Sequence, residues 1–185
     1  MAVETPIPAT QDGLYEQATA EFGNALGRLV RAYEADPDKQ RDLFQEIHMA
    51  LWCSFKVYQS RCSLRTWVYR VAHNAAAGHV IRQRRARSAD FAALLTLDEV
   101  EAVPDPSDHD RLTTDRLALD RLTGLIRRLA PPDRQIILLY LEDMDAASIG
   151  EIAGLSAGAV RTKLHRIKEL LARRFHGRRY DNSES

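Results

Sequence analysis

Apolar positions recur at helical spacing through most of the chain. Leu14, Ala18, Phe22, Leu26, Leu29 and Val30 fall on one helical face and predict a helix from about Leu14 to Ala35. Asp36-Pro37-Asp38 ends it. A second predicted helix begins near Asp38 and turns Leu43, Phe44, Ile47, Ala50, Leu51 and Phe55 inward. Val57 to Cys62 reads as a short loop, after which Ser63 stands where an N-cap belongs. Leu64, Trp67, Val68, Val71, Ala72 and Ala75 then form the inward stripe of a third helix reaching about Arg87. In that register Trp67 is a core residue, while Arg65, Tyr69, Arg70, His73 and Asn74 turn towards the other faces.

The periodicity lapses from Ser88 to about Asp110, where Pro104, Pro106 and a cluster of acids surround a small apolar patch of Phe91, Leu94 and Leu95. It resumes at Thr114 with Leu117, Leu119, Leu122, Leu125, Ile126 and Leu129. Pro131-Pro132-Asp133 breaks that helix, and Arg134 to Leu141 makes a short apolar one. Asp143-Met144-Asp145 turns the chain into Ala146 to Ala153, and Ser156 caps a last helix from Ala157 to about Phe175. No stretch alternates as a strand, and there is neither an internal repeat nor a Gly-rich phosphate loop. The expected fold is all-α: two small helical domains joined by an acidic flexible linker, the second containing a helix-turn-helix. The boundaries read as a disordered N-terminus at 1–13, a first domain at 14–88, the linker at 89–113, a second domain at 114–176 and a tail at 177–185.

Charge sharpens this division. The 26 basic and 26 acidic residues cancel in sum but not in place. From Ile47 to Ala89 there is no Asp or Glu, whereas Lys56, Arg61, Arg65, Arg70, Arg82, Arg84, Arg85 and Arg87 are interleaved with Trp52, Phe55, Tyr58, Trp67 and Tyr69. Such a stretch is either a solvated basic helix with core aromatics or a surface that lies beside phosphates. Carboxylates are repelled there, cations release counterions, and aromatic faces stack on unpaired bases. An acidic block follows, and from Arg161 onward a second basic block opposes a single Glu169 before the tail. Two basic blocks flanking an acidic one suggest two nucleic-acid contacts and a linker of opposite sign.

The second block falls on the helix-turn-helix. Gly150 is small where two helices cross closely, Gly154 can take the positive φ of the turn, and Val160, Leu164, Ile167 and Leu171 face inward. That leaves Ser156 at the cap and Gly158, Arg161, Thr162, Lys163, His165 and Arg166 outward, a set suited to phosphates and base edges in a major groove. On the second helix of the chain Asp42, Gln45 and Glu46 face outward, bordered by Met49. That face is either a solvated polar surface or a partner site. Cys53 and Cys62 make no disulfide framework, and with His73 and His79 they match no familiar zinc spacing. No apolar run approaches the roughly 20 residues of a membrane span. Met1 to Gly13 lacks the basic start and apolar core of a signal peptide, so the cytoplasm is expected.

Taken together, three stretches resemble the extracytoplasmic-function sigma factors of bacterial RNA polymerase. Asp42-Leu43-Phe44-Gln45-Glu46-Ile47 is similar to the polymerase-binding helix of that family, and Ser63 to Asn74 to its promoter-melting segment. Ile149 to Val160, with Leu164-His165-Arg166 beyond, resembles its C-terminal helix-turn-helix, preceded by a fitting Leu129-Ala130-Pro131-Pro132. The sequence departs from the family pattern at Ile149, Gly150 and Ala159. The resemblance implies a dissociable, non-enzymatic subunit without a cofactor. It would bind core polymerase through Asp42, Gln45 and Glu46 and minus-ten DNA through Lys56, Arg61, Ser63, Arg65, Tyr69, Arg70, His73 and Asn74. Ser156, Gly158, Arg161, Thr162, Lys163, His165 and Arg166 would read the minus-35 element. Its implied partners are core RNA polymerase and promoter DNA, with room for an anti-sigma factor. A stand-alone helix-turn-helix regulator is the alternative, and would need its own dimer interface or ligand pocket. A metal-dependent nuclease would need a carboxylate or His cluster beside an acid-free stretch.

Overall fold

A computed structural model of the chain describes residues 10–93 and 111–176, with seven α-helices and a short 3-10 turn among them. Helix α1 (Gln11–Tyr33) starts at Thr10, whose hydroxyl accepts from the Gly13 N–H. Helix α2 (Pro37–Ser54) starts at Asp36, whose carboxylate accepts from the N–H groups of Asp38 and Lys39, with Pro37 pre-set for the first turn. The 3-10 turn Phe55–Val57 leads into the loop before α3 (Leu64–Ala93). Ser63 caps α3 as its position suggests, accepting from the Thr66 N–H at 3.1 Å.

These three helices close around Leu26, Leu43, Ile47, Leu51 and Val68, all buried. The second unit comprises α4 (Arg111–Arg127), α5 (Pro131–Leu141), α6 (Ala146–Ala153) and α7 (Ala157–His176), packed around Ile136, Leu139, Ile149 and Val160. Asp145 caps α6 through the Ser148 N–H at 2.7 Å. Gly154 ends α6 with φ 70°, the left-handed conformation that a residue with a Cβ resists. At Gly150 an added Cβ would lie 2.4 Å from the Leu155 carbonyl oxygen, so the helix-turn-helix closes only over glycine.

The boundaries differ from the periodicity in three places. Helix α1 includes 11–13, α3 runs through the expected boundary at Ser88 to Ala93, and α4 begins at Arg111, inside the segment read as linker. The linker acids Asp98, Glu99, Glu101, Asp105, Asp108 and Asp110 lie outside the described residues, as do 1–9 and the tail 177–185.

The larger difference is that the two units dock. Helix α1 packs on α4, and α3 packs on α5 and α6. Arg134 of α5 is buried in this seam, its guanidinium 5.0 Å from the centre of the Tyr33 ring and donating to the carbonyls of Arg127 and Leu129. Helix α3 therefore has a second packed side. Tyr69 and His73, expected outward, are each only 2 % exposed, and the buried stripe comprises Val68, Tyr69, Ala72, His73, Ala76 and His79.

Candidate nucleic-acid interface

The loop before α3 is built by its own side chains. The Tyr58 hydroxyl donates to the Cys62 carbonyl at 2.9 Å, and the Tyr58 ring lies 5.3 Å from that of Trp67. The Trp67 indole N–H donates to the Ser54 hydroxyl at 2.9 Å, which anchors one edge of the ring and leaves it half-buried. Between loop and helix lies a cavity of about 460 Å³, lined by Val57, Tyr58, Gln59, Arg61, Cys62, Trp67 and Arg70, with Glu151 of α6 on its far side. Aromatic walls with two cations at the rim suit an unstacked base and its phosphate. Trp67 thus combines the core role expected of it with a wall of this cavity. Tyr58 was visible in sequence only as one of the interleaved aromatics.

The structure sorts the residues assigned to minus-ten DNA. Arg61, Ser63 and Asn74 are exposed, and Arg70 is half-buried at the cavity rim. Lys56 is exposed, with its ammonium 5.0 Å from the centre of the Trp52 ring. Tyr69 and His73 do not join them. The Tyr69 ring packs edge-on against Phe22 and its hydroxyl donates to Glu142 at 3.3 Å. Burial, and then the Glu142 charge, push that phenol up to about 12. His73 accepts or donates through Nδ1 with the Tyr33 hydroxyl at 3.1 Å, and burial lowers its imidazole to about 3, so it is neutral at neutral pH. Both are core residues that hold α3 against α1 and α5. Arg65 is directed at the second unit: it donates to the Glu142 carbonyl and lies 5.9 Å from the Tyr69 ring centre.

On α7 the expected face is largely free. Arg161, Thr162, His165 and Arg166 are exposed, and at 100° per residue they span about 140° of one helical side. The Ser156 hydroxyl caps the helix, accepting from the Ala159 N–H at 3.2 Å, and Gly158 is exposed beside it. Thr162 donates back to the Gly158 carbonyl at 3.1 Å. Lys163 is the exception: its ammonium reaches Asp133 at the start of α5, 2.8 Å away, and so braces α7 against α5.

On α2, Asp42 and Gln45 are exposed and Met49 is 70 % exposed one turn on. Glu46 is half-buried and already paired, with Arg82 and at 3.5 Å with His79 of α3. His79 also lies 3.6 Å from Glu34. The neighbourhood of Glu34 includes Gln83 and the Asp36 and Ala35 N–H groups. Burial raises the Glu34 carboxyl, but those hydrogen bonds outweigh it and hold the group below its ordinary value. The open part of the α2 face is therefore Asp42, Gln45 and Met49.

The two units match two parts of one family. Residues 20–86 match Sigma-70 region 2, and residues 119–180 match Sigma-70, region 4. The chain belongs to the extracytoplasmic-function sigma factors.

The sigma factor is similar along most of its length to curated relatives. It is 25 % identical over 144 residues to the RNA polymerase sigma factor SigV of Bacillus subtilis, covering 78 % of this chain and 80 % of the relative. It is 25 % identical over 158 residues to the RNA polymerase sigma factor NccH of Alcaligenes xylosoxydans xylosoxydans, covering 85 % and 84 %. In fold it is similar to CnrH in complex with the cytosolic domain of CnrY, with TM-score 0.59, 19 % identity and 88 % and 87 % of the two chains covered. It is likewise similar to RpoE of Bartonella quintana in complex with the anti-sigma factor NepR, with TM-score 0.63, 17 % identity and coverage of 90 % and 97 %. In this sigma factor the cavity beside Trp67 is lined by the region 2 unit on all but its far side, where Glu151 of region 4 stands, and the exposed cations of α7 belong to region 4.

Proposed function

We propose that this sigma factor directs core RNA polymerase to specific promoters and opens their minus-ten region, with the labour divided between its two units. The carrying observation is the cavity of about 460 Å³ flanked by Tyr58, Trp67, Arg61 and Arg70, on the same chain as a helix-turn-helix whose α7 exposes Arg161, Thr162, His165 and Arg166. The cavity would hold a minus-ten base extruded from the duplex, at an unstacking cost of a few kcal/mol. Arg61, Arg70, Lys56 and Asn74 would follow the strand, with Ser63 at the entrance. Helix α7 would read the minus-35 duplex through its exposed face.

Asp42 and Gln45, bordered by Met49, would meet the polymerase, and Glu46 would join them if it exchanged Arg82 for a cation of the partner. The subunit performs no bond chemistry. No helix among the described residues is long and apolar enough to cross a membrane; on this reading the protein would work in the cytoplasm, where promoters are. An anti-sigma factor is a further partner of this reading, since one of the similar structures is a complex of a sigma factor with an anti-sigma factor.

The test is promoter-specific transcription by core polymerase with this chain added, on duplex and on pre-melted bubble templates. Arg61→Ala and Arg70→Ala should lose activity on duplex DNA and regain much of it on the bubble, because the unpairing cost has been met. Arg161→Ala should respond little to the bubble. Identical responses of the two classes would sink the division of labour, and transcription without core polymerase dependence would remove the sigma assignment.

A further inference from the structure

Helices α1, α2 and α3 pack on one another around a polar cluster as well as an apolar core. The His79 ring of α3 is buried, its side chain only 9 % exposed, with a carboxylate at each edge. Its Nε2 lies 3.6 Å from Glu34, the C-cap of α1, and its Nδ1 lies 3.5 Å from Glu46 of α2. The Gln83 amide nitrogen is 2.7 Å from the Glu34 carboxylate and 2.7 Å from His79 Nε2. An amide oxygen turned towards that carboxylate would be repelled, so the NH2 group takes this place and donates to both. His79 Nε2 is then an acceptor, and a neutral ring carries its proton on Nδ1, towards Glu46. Arg82, further along α3, donates to the same Glu46 carboxylate.

The charged groups around this ring are therefore Glu34 from α1, Glu46 from α2 and Arg82 from α3, with Asp36 and Lys39 at the start of α2 behind Glu34. Burial works against the Glu34 charge, but the Asp36 N–H, Gln83 and the Ala35 N–H hold its carboxyl below its ordinary value. Glu34 is thus charged wherever a histidine titrates. A second proton on the ring changes which groups hold Glu46. Nε2 becomes a donor facing the donor Gln83, which must turn away and leave Glu34 to the ring itself. The ring is then a cation between two carboxylates, and Glu46 is held by two cations of α3. Asp42 and Gln45 have no such tether, so Glu46 is the one member of the α2 face whose availability depends on α3.

We propose that His79 is a positioning residue for the polymerase contact, its proton deciding whether Glu46 is held back against α3 or offered to a cation of core polymerase. The proposal rests on the assignment of the α2 face to polymerase. A polymerase cation that takes Glu46 removes one of the two counter-charges of the ring. The complex then binds the ring proton less tightly than the free chain does. By linkage, acid favours the free chain, and affinity for core falls as pH drops through the histidine range of about pH 8 to 5.

The experiment measures core affinity across a pH series for the full chain and for His79→Gln, Glu34→Gln and Glu46→Gln, with the His79 ring followed by NMR in the free protein. Between about pH 8 and pH 6 the wild type should lose about fivefold in affinity beyond any loss in His79→Gln, the scale of one ion pair open to solvent. His79→Gln should match the wild type at the alkaline end. Should glutamine at 79 disturb the fold, Glu34→Gln carries the test: with one counter-charge gone, the ring titration and the affinity loss should move together to lower pH. Parallel profiles for wild type and His79→Gln would overturn the proposal, as would an affinity profile that stays in place while the ring titration moves. Glu46→Gln should bind core weakly across the series and without the His79-linked slope. Wild-type affinity of Glu46→Gln at the alkaline end would instead overturn the polymerase reading of this face. A loss in Glu46→Gln beside parallel profiles elsewhere would keep that reading and sink only the role of His79.

Discussion

Helices α3 and α7 carry similar charge and similar helical spacing, yet they stand in opposite situations. On the outer face of α7, Arg161, Thr162, His165 and Arg166 are all exposed, and the polar contacts of Thr162 and His165 stay on the helix itself, with the Gly158 carbonyl at 3.1 Å and Glu169 at 3.5 Å. On α3 the side expected to be outer is half covered: Tyr69 and His73 are core, while Arg65 and Arg70 are engaged by α5 and α6. A basic, helical, aromatic-bearing sequence therefore reports where nucleic acid can bind. It does not report whether the surface is free. That depends on what else the chain can place there.

Substitution at Tyr69 should break the apparent equivalence most sharply. Truncating a buried aromatic leaves a cavity, so Tyr69→Ala should destabilise the fold by about 3 kcal/mol or more. Arg161→Ala should leave stability within about 0.5 kcal/mol of wild type. Urea unfolding of the two variants measures the contrast. Equal stabilities would mean that Tyr69 is not the core residue its 2 % exposure indicates. A bubble template should consequently fail to rescue Tyr69→Ala, whereas it rescues a variant that lacks only a strand contact.

Gly150→Ala tests the open region in its own terms. The new Cβ would meet backbone, the Leu155 carbonyl oxygen at 2.4 Å, and a turn cannot yield as a flexible side chain would. A loss of about 1–3 kcal/mol is expected, with minus-35 recognition weakened because the angle between α6 and α7 must change. Thermal melting together with binding to a duplex minus-35 probe would detect both effects.

The pH dependence of stability sharpens the contrast from the α3 side. His73 has a folded pKa of about 3 because burial disfavours its charged form, below the ordinary value of roughly 6.5. Between those values the unfolded chain binds a proton that the folded chain refuses. Stability contributed by neutral His73 is therefore complete above the unfolded value and falls as pH drops through that window, by up to about 1.4 kcal/mol per pH unit. His48, also lowered by burial, adds to the slope in the same direction. Urea unfolding at a series of pH values should show a shallower acid limb for His73→Phe than for wild type. An unchanged limb would place His73 in solvent.

The smallest effect concerns the free face alone. Arg161→Ala and Arg166→Ala should each reduce the salt slope of duplex binding by about one, if each neutralises one phosphate. Lys163→Ala should change that slope less, because its ammonium is held by Asp133 at 2.8 Å. Binding isotherms across a salt series separate these cases. An equal reduction for Lys163 would mean that it leaves Asp133 for DNA.

Local rules were enough to read much of this chain from its residues. Thr10 was not singled out as a cap, but Ser63 and Ser156 were, and both cap their helices through their hydroxyls. Gly154 takes the left-handed φ and Gly150 allows the close crossing, as their places in the pattern required. Caps, turns and 3.6-residue periodicity involve neighbours within a few positions, so they are written in adjacent residues. The all-α class, the two units and the free cations of α7 all follow from such terms.

What the tertiary structure alone decided is the seam. Arg28 and Glu142 are 114 positions apart, and Arg65 and Glu142 are 77 apart. No local signature marks Arg134 for burial against Tyr33, or turns a second side of α3 inward. A helix with one apolar stripe predicts one partner. The additional burial of Tyr69 and His73 became visible only when a second domain supplied the other wall, because burial belongs to the pair of surfaces that meet and not to either sequence alone.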